Sequence, residues 1–378
     1  MTMPPPPQGP WHPRPPAPGQ PPGQPPQGVP YGPPPGQYPG WPLPGPAKKS
    51  NALKWALGAI TLIAVVAIAV AVTLALTRSG SDGRGPANGG NSGKTSTIAS
   101  ANDTDPVAVI TEEPTCDKFT PINNGYADQG KNGWNDRDPS IPATDWTPDQ
   151  RAQYTAMGTA MRNAADQFVP LAKQTPHRVM RELYEQFIVY ARTYAASIPT
   201  YTPSDDQLAT VATNASSAIY SICNAISEGS ASMWGPSVPT AAPPAHIAVP
   251  SDPADPQRFL TARDPICNDW KARWQRYSTD ASAWGSMDPQ KPASEWTPEQ
   301  KAVYDAVTPV MSAYADDIEQ LGQRSKNPII QDFAVLSAQY TRAYVKGIPT
   351  YVPSDAHLAA TANATEWVIM KACQAVED

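Results

Sequence analysis

No aspartate or glutamate occurs before Asp82 in this chain of 378 residues. The charges ahead of Arg78 are Arg14, Lys48, Lys49 and Lys54 alone, so the rest of the chain carries 24 basic against 34 acidic residues, a net of −10. An acidic body of this kind argues against nucleic acid as a partner and against docking on anionic headgroups. Histidine and cysteine are scarce, with four of each. His12, His177, His246 and His357 share no helix face, and metal sites need clustered ligands. HExxH, GxSxG, P-loop and dinucleotide patterns are all missing. No metal, cofactor or catalytic residue is expected, and the chain reads as a non-enzyme.

Proline is abundant, with 21 of the 47 prolines in the first 47 residues. That stretch has too few apolar residues to offset its ordering entropy, so residues 1–50 read as a disordered Pro/Gly/Gln-rich tail. Its PxxP spacings make polyproline II recognition by a cytosolic partner physically available, but such spacing is unavoidable at this proline density. Trp55 to Leu76 then reads WALGAITLIAVVAIAVAVTLAL without a charge, long enough for a helix to span a bilayer core of about 30 Å. Residues 51–78 are therefore expected as a transmembrane helix in the cytoplasmic membrane. Lys48, Lys49 and Lys54 before it, against the more dispersed Arg78, Arg84 and Lys94 after it, place the N-terminus inside. All four cysteines follow the apolar segment, which agrees with an oxidising exterior for the C-terminal part.

The strongest signal is internal duplication. A shift of 150 residues lays Trp134–Cys223 over Trp284–Cys373 without a gap, with 31 identities in 90 positions. WTPDQ at 146–150 matches WTPEQ at 296–300, and IPTYTPSD at 198–205 matches IPTYVPSD at 348–355. Cys116 matches Cys267 at an offset of 151. A unit of about 107 residues is a domain-sized repeat, not a solenoid period. Four cysteines allow three pairings, and duplication favours Cys116–Cys223 with Cys267–Cys373, because one ancestral unit would have closed its own loop. Closing a loop of that length contributes up to about 4.7 kcal/mol in the chain-entropy model.

Within the second copy, Asp264 and Pro265 suggest a helix start, followed by Cys267, Trp270, Trp274 and Tyr277 at helical spacing. Thr297-Pro298-Glu299-Gln300 is a capping box ahead of an apolar stripe from Val303 to Leu321, with a bend expected at Pro309. A third helix carries Ile330, Phe333, Leu336, Tyr340 and Tyr344. A fourth is expected after Pro353 with Ser354 as its cap. The first copy repeats the last three, while Pro121 and Gly125 interrupt its first. Each copy reads as a four-helix bundle, or as three helices plus an irregular arm. The fold class is thus an all-α ectodomain of tandem disulfide-closed bundles, over residues 115–226 and 264–378. Gly/Ser/Asn/Pro/Ala-rich stretches at 79–114 and 227–263 read as a flexible stalk and a linker.

Polar residues repeated in both copies include Asp166/Asp316, Arg192/Arg342 and Asp205/Asp355. The first two pairs read as interhelical ion pairs rather than a binding site, and the Asp205/Asp355 carboxylates as first-turn residues facing a helix dipole. The candidate interaction loop is Ile198-Pro199-Thr200-Tyr201 with its twin Ile348-Pro349-Thr350-Tyr351. Its prolines stiffen it, and its tyrosine either projects towards a partner or folds back on the bundle. Trp146 and Trp296 directly precede a Thr cap, where packing is the expected role.

The Pro/Gly/Gln-rich opening, the KKSNALKW flank, the long Ala/Val/Ile run, and the WTPxQ and IPTYxPSD segments resemble the proline-rich single-pass membrane proteins of mycobacteria and related actinobacteria. The resemblance implies an envelope location and carries over no catalytic residue. The leading expectation is an envelope adaptor, displaying two helical domains to an extracytoplasmic protein or wall component. Small-molecule or lipid binding within the bundles is the alternative, followed by a wall-acting enzyme using Asp166 and Glu182.

Overall fold

The structure, a computed structural model, describes residues 98–377. These are helical, with no strand among the described residues. The first copy comprises α1 (Cys116–Gly130), α2 (Pro148–Gln174), α3 (Arg178–Ser197) and α4 (Asp206–Ser227), followed by a short α5 (Ser230–Trp234). The second comprises α6 (Cys267–Asp280), a short α7 (Ser282–Gly285), α8 (Pro298–Gln323), α9 (Pro328–Gly347) and α10 (Ala356–Gln374). Each copy therefore has four main helices. Both capping boxes form: the Thr147 hydroxyl accepts from the Gln150 amide at 3.2 Å, and the Thr147 amide donates back to Gln150 at 2.9 Å. Thr297 and Gln300 repeat this at 3.3 and 3.1 Å. Each box satisfies two amides that a helix start leaves unpaired.

Apolar spacing then fills the core. Met161, Phe168 and Leu171 of α2 are buried, as are Leu183, Phe187, Tyr190 and Tyr194 of α3 and Leu208, Ile219 and Ile222 of α4. Phe168 lies 5.2 Å from Phe119 of α1 and 4.7 Å from Phe187, so aromatic contacts join three helices. The cystines are Cys116–Cys223 and Cys267–Cys373, each tying the first helix of a copy to its last. Some local starts differ from expectation. The chain turns at Pro265–Ile266 and α6 begins at Cys267, because the Asp264 carboxylate holds the Ile266 amide at 3.0 Å and the Ser325 hydroxyl at 2.7 Å. Ser354 is not the cap of α10: a 3-10 turn over Pro353–Asp355 precedes it, closed by the Val352 amide donating to Asp355 at 3.0 Å. Past Pro309, α8 continues as one helix.

The two copies pack together, α4 along α10 and α3 against α9. The Gly/Ser/Pro-rich composition predicts flexible connections, yet residues 98–114 and 227–263 lie on the helices. Val107, Val109 and Ile110 are buried, as are Ala231, Ala241, Phe259 and Leu260. The arm before α1 reaches the second copy, where the Ile110 amide donates to the Tyr340 hydroxyl at 3.2 Å. The segment before α6 reaches the first copy: the Phe259 amide donates to Gln186 at 3.0 Å, and the Phe259 ring sits 6.3 Å from Tyr190 and 5.8 Å from Phe333. Buried apolar side chains in these stretches override the local composition. No helix among the described residues is long and apolar enough to cross a membrane. The Trp55–Leu76 run and the proline-rich tail lie outside the described residues.

Candidate functional site

An isolated bundle helix buries one face, but α3 is buried along the whole run from Arg178 to Ile188. Its extra faces are covered by the arm before α1 and by α9 of the second copy. Arg178 donates from Nε to Asp332 Oδ2 at 2.7 Å and from Nη2 to Asp332 Oδ1 at 3.1 Å, a two-pronged ion pair between copies. Its Nη1 also donates to the Asp103 carbonyl at 2.8 Å, while the Asp103 carboxylate receives the Arg178 amide at 2.6 Å. Arg181 donates to the Ser100 hydroxyl at 3.0 Å and lies 3.5 Å from Glu185.

Glu182 completes this seam and is fully buried. Neither of its carboxyl oxygens has a hydrogen-bond partner, and its closest cationic atom is Arg181 Nη2 at 3.9 Å. Burial and then the Asp332 charge raise its pKa well above the usual carboxyl range, against Arg181 and Arg178. Burial also pushes Glu185 up to about 7. The duplication explains the imbalance. Asp332 is the counterpart of Glu182, but Pro328 stands at the counterpart of Arg178, so the second copy offers a carboxylate and no guanidinium in return. Away from the seam, the buried carboxyl of Glu366 accepts from the Tyr314 hydroxyl and is pushed up to about 8 by burial.

The IPTY connectors form rigid corners with their tyrosines turned inward. Tyr201 and Tyr351 are each 1% exposed, and their hydroxyls donate to the carbonyls of Pro139 at 2.8 Å and Pro289 at 2.6 Å. Trp146 stacks 5.1 Å from Tyr201 and 4.0 Å from Tyr154; Trp296 sits 3.7 Å from Tyr304. Ile198 and Ile348 are buried too, which leaves Pro199, Thr200, Pro349 and Thr350 on the outside. Asp355 of the second connector also accepts from the Trp234 indole at 2.8 Å. Residues 230–238 thus form a strap from the end of the first copy to the second copy's connector. A Cβ at Gly347 would meet the Trp234 indole nitrogen at 3.0 Å, so glycine there makes room for the ring.

Asp166 and Glu182 do not form a working pair of carboxylates. Asp166 is exposed and held by Arg192 at 2.6 Å, with Asp316 and Arg342 repeating the contact at 2.7 Å, whereas Glu182 is sealed from any polymer. Among the histidines, the His177 ring meets the Glu112 carbonyl at 2.8 Å, and His357 lies 3.5 Å from Glu228, with burial lowering its pKa. His246 is exposed and His12 lies outside the described residues. Among the described residues no group of three acidic, His or Cys side chains is placed to hold a metal ion. A shallow groove of about 270 Å³ runs between α7 and α8, lined by Trp284, Val303 and Val307 among others.

Residues 98–377, the whole described body, match the family model described as mycobacterial ESX-1 associated protein. The chain belongs to this family. An uncharacterised protein of Mycolicibacterium smegmatis (strain MKD8) is 45% identical over 340 residues, covering 89% of this chain and 90% of that protein. No solved structure matches the chain. The family match runs from the arm through both cystines to the end of α10, so it spans the seam as one unit.

Neither Arg178 nor the Glu182 environment is legible as a site from one copy read alone. The signal lies in comparing the copies: Arg178, Arg181, Glu182 and Glu185 face Pro328, Gln331, Asp332 and Val335 in the repeat register. A cluster charged in one copy and largely neutral in the other marks a surface where the two halves play different roles.

Proposed function

We propose that this protein is a non-enzymatic adaptor of the ESX-1 secretion machinery, anchored by Trp55–Leu76 in the cytoplasmic membrane with its N-terminus inside. The observation that carries the reading is the coincidence of the family match with one joined double bundle, whose exposed repeated features are stiff corners. In this reading, Pro199-Thr200 and Pro349-Thr350 are presented to an extracytoplasmic secretion component or wall partner. The buried tyrosines beneath fix each corner's shape before binding, which lowers the ordering cost of association. The proline-rich tail remains available to a cytosolic partner.

Site-specific photo-crosslinking from position 200 and position 350 in intact mycobacterial cells tests this. Recovery of a secretion-system component from either corner is the expected result. Crosslinks confined to the protein itself, with secretion unchanged on deleting the gene, would overturn the adaptor reading. Cysteine accessibility at an added residue in 1–50 and at an exposed position of α8 reports the two sides of the membrane; labelling both from outside would reject the orientation.

The second reading, a bound apolar small molecule or lipid, has the groove beside Trp284 in its favour. At about 270 Å³ it falls just below the usual range of ligand-pocket volumes, which fits a small apolar molecule better than a whole lipid.

A further inference from the structure

We propose that the seam between the two copies is a proton-loaded clamp: Glu182 is held as the neutral acid when the copies are closed, and loss of its proton to water loosens the arm at residues 98–105 from α3 and α9. The first support is a count of charges inside a sealed space. Arg178 and Arg181 supply two guanidiniums, while Glu182, Glu185 and Asp332 supply three carboxyls. Asp332 takes both prongs of Arg178, and Arg181 is shared among Glu185 at 3.5 Å, Glu182 at 3.9 Å and Ser100, hydrogen-bonding to neither glutamate. Two guanidiniums cannot fully neutralise three carboxylates, and Glu182 has the longest contact of the three. An isolated buried charge is far more costly than a buried neutral acid, so Glu182 keeps its proton.

The second support is the lack of a donor at either Glu182 oxygen. A buried carboxylate is tolerated when amides, hydroxyls or cations donate to it, and here no protein group does. The groups facing it come from three elements. Arg178, Arg181 and Glu185 lie on α3 itself, Asp332 lies on α9, and the arm brings Asp103 and the Ser100 hydroxyl to the same guanidiniums. Ser251, in the segment before α6, reaches Glu185 from a further side.

Geometry also says what moves. Ser100 and Asp103 are held through Arg181 and Arg178. Ionised Glu182 competes with Asp332 and Glu185 for those same guanidiniums and repels both carboxylates. The arm covers the seam here with a four-residue 3-10 turn over Ala99–Asn102, whose one buried residue is Ser100, so lifting it admits water to the new charge with little loss of packing.

Hydrogen exchange of the full chain, read by mass spectrometry at about pH 6 and about pH 9 with the intrinsic rate change removed, tests the clamp. Protection of amides in residues 98–105 and 178–185 is expected to fall by about tenfold per pH unit above the onset, the limit for one released proton. Glu182→Gln keeps the shape without a titratable proton, and its arm should stay protected throughout. Pro328→Arg supplies the missing guanidinium and should flatten the same profile, which keeps the test open if the first variant folds poorly. Equal protection at both pH values, or loss confined to α8 and α10 around Glu366, overturns the clamp. An alkaline loss unchanged in Glu182→Gln would do the same.

Discussion

Arg178 of the first copy and Asp332 of the second close a two-pronged ion pair at 2.7 and 3.1 Å, with each side chain only 2% exposed. This pair crosses the joint between the two bundles beside the packing of α4 along α10, and the repeat does not provide a second one, because Pro328 stands at the counterpart of Arg178. Removing one member leaves the other buried without compensation. Arg178→Met is therefore expected to lower unfolding free energy by about 3–5 kcal/mol in urea titrations. Arg178→Met combined with Asp332→Leu should recover much of that loss, and simple additivity of the two changes would count against a direct coupling.

Stability should also fall on the alkaline side. Glu185 is raised to about 7 and Glu366 to about 8, both by burial. A carboxyl whose folded pKa is raised stabilises fully below its unfolded value near 4.3, and that stabilisation is lost as pH rises through the folded value. Urea midpoints should decline from about pH 5, most steeply below about pH 7 where both groups are protonated in the folded chain and ionised in the unfolded one, and level off above about pH 8. Glu366→Gln keeps an acceptor for the Tyr314 hydroxyl and should flatten the upper part of this decline. Buried His357 acts in the other direction. Its lowered pKa favours the neutral ring, so its contribution is lost as pH falls through and below the ordinary histidine range.

Trp234→Ala should release the strap. The change removes an indole bond to Asp355 and the ring packed beside Gly347, at a cost of about 1–3 kcal/mol for a half-buried tryptophan. Gly347→Val should have a similar effect by filling the space the indole needs. If both act through the strap, combining them costs less than their sum, and differential scanning calorimetry of the three proteins measures this.

The cystines should prove local in effect. Each lies inside one copy, so Cys116→Ser with Cys223→Ser is expected to cost about 2–5 kcal/mol while the copies stay joined. Limited proteolysis reads the outcome. Cleavage should move to α1 and leave residues 227–263 resistant, and release of a separate second copy would refute the expectation.

What was legible in the sequence was what short-range chemistry dictates. Thr147-Gln150 and Thr297-Gln300 mark helix starts because a hydroxyl and an amide three residues apart can satisfy each other without help from elsewhere. The cystine pairing followed from duplication, and the Arg192–Asp166 and Arg342–Asp316 pairs from repeated charge on neighbouring helices. The inward turn of Tyr201 was one of two open readings, since it depends on Trp146 and on a carbonyl 62 residues away. The seam was not legible. Phe259 and Ile110 sit in stretches whose Pro, Ala, Ser and Thr content reads as linker, and their burial is set by helices far along the chain. Glu182 could be noticed as an acid, but its lack of donors is a property of the packed pair of copies.

The arm precedes α1 and both cystines in the chain. Ser100 and Asp103 hang on Arg181 and Arg178, so tension applied ahead of Ile98 is delivered to the joint between the halves before it reaches either cystine. A pull from that side would peel the duplicated body along its charged joint, while the same force from the far end of α10 would meet a covalent bridge at Cys373.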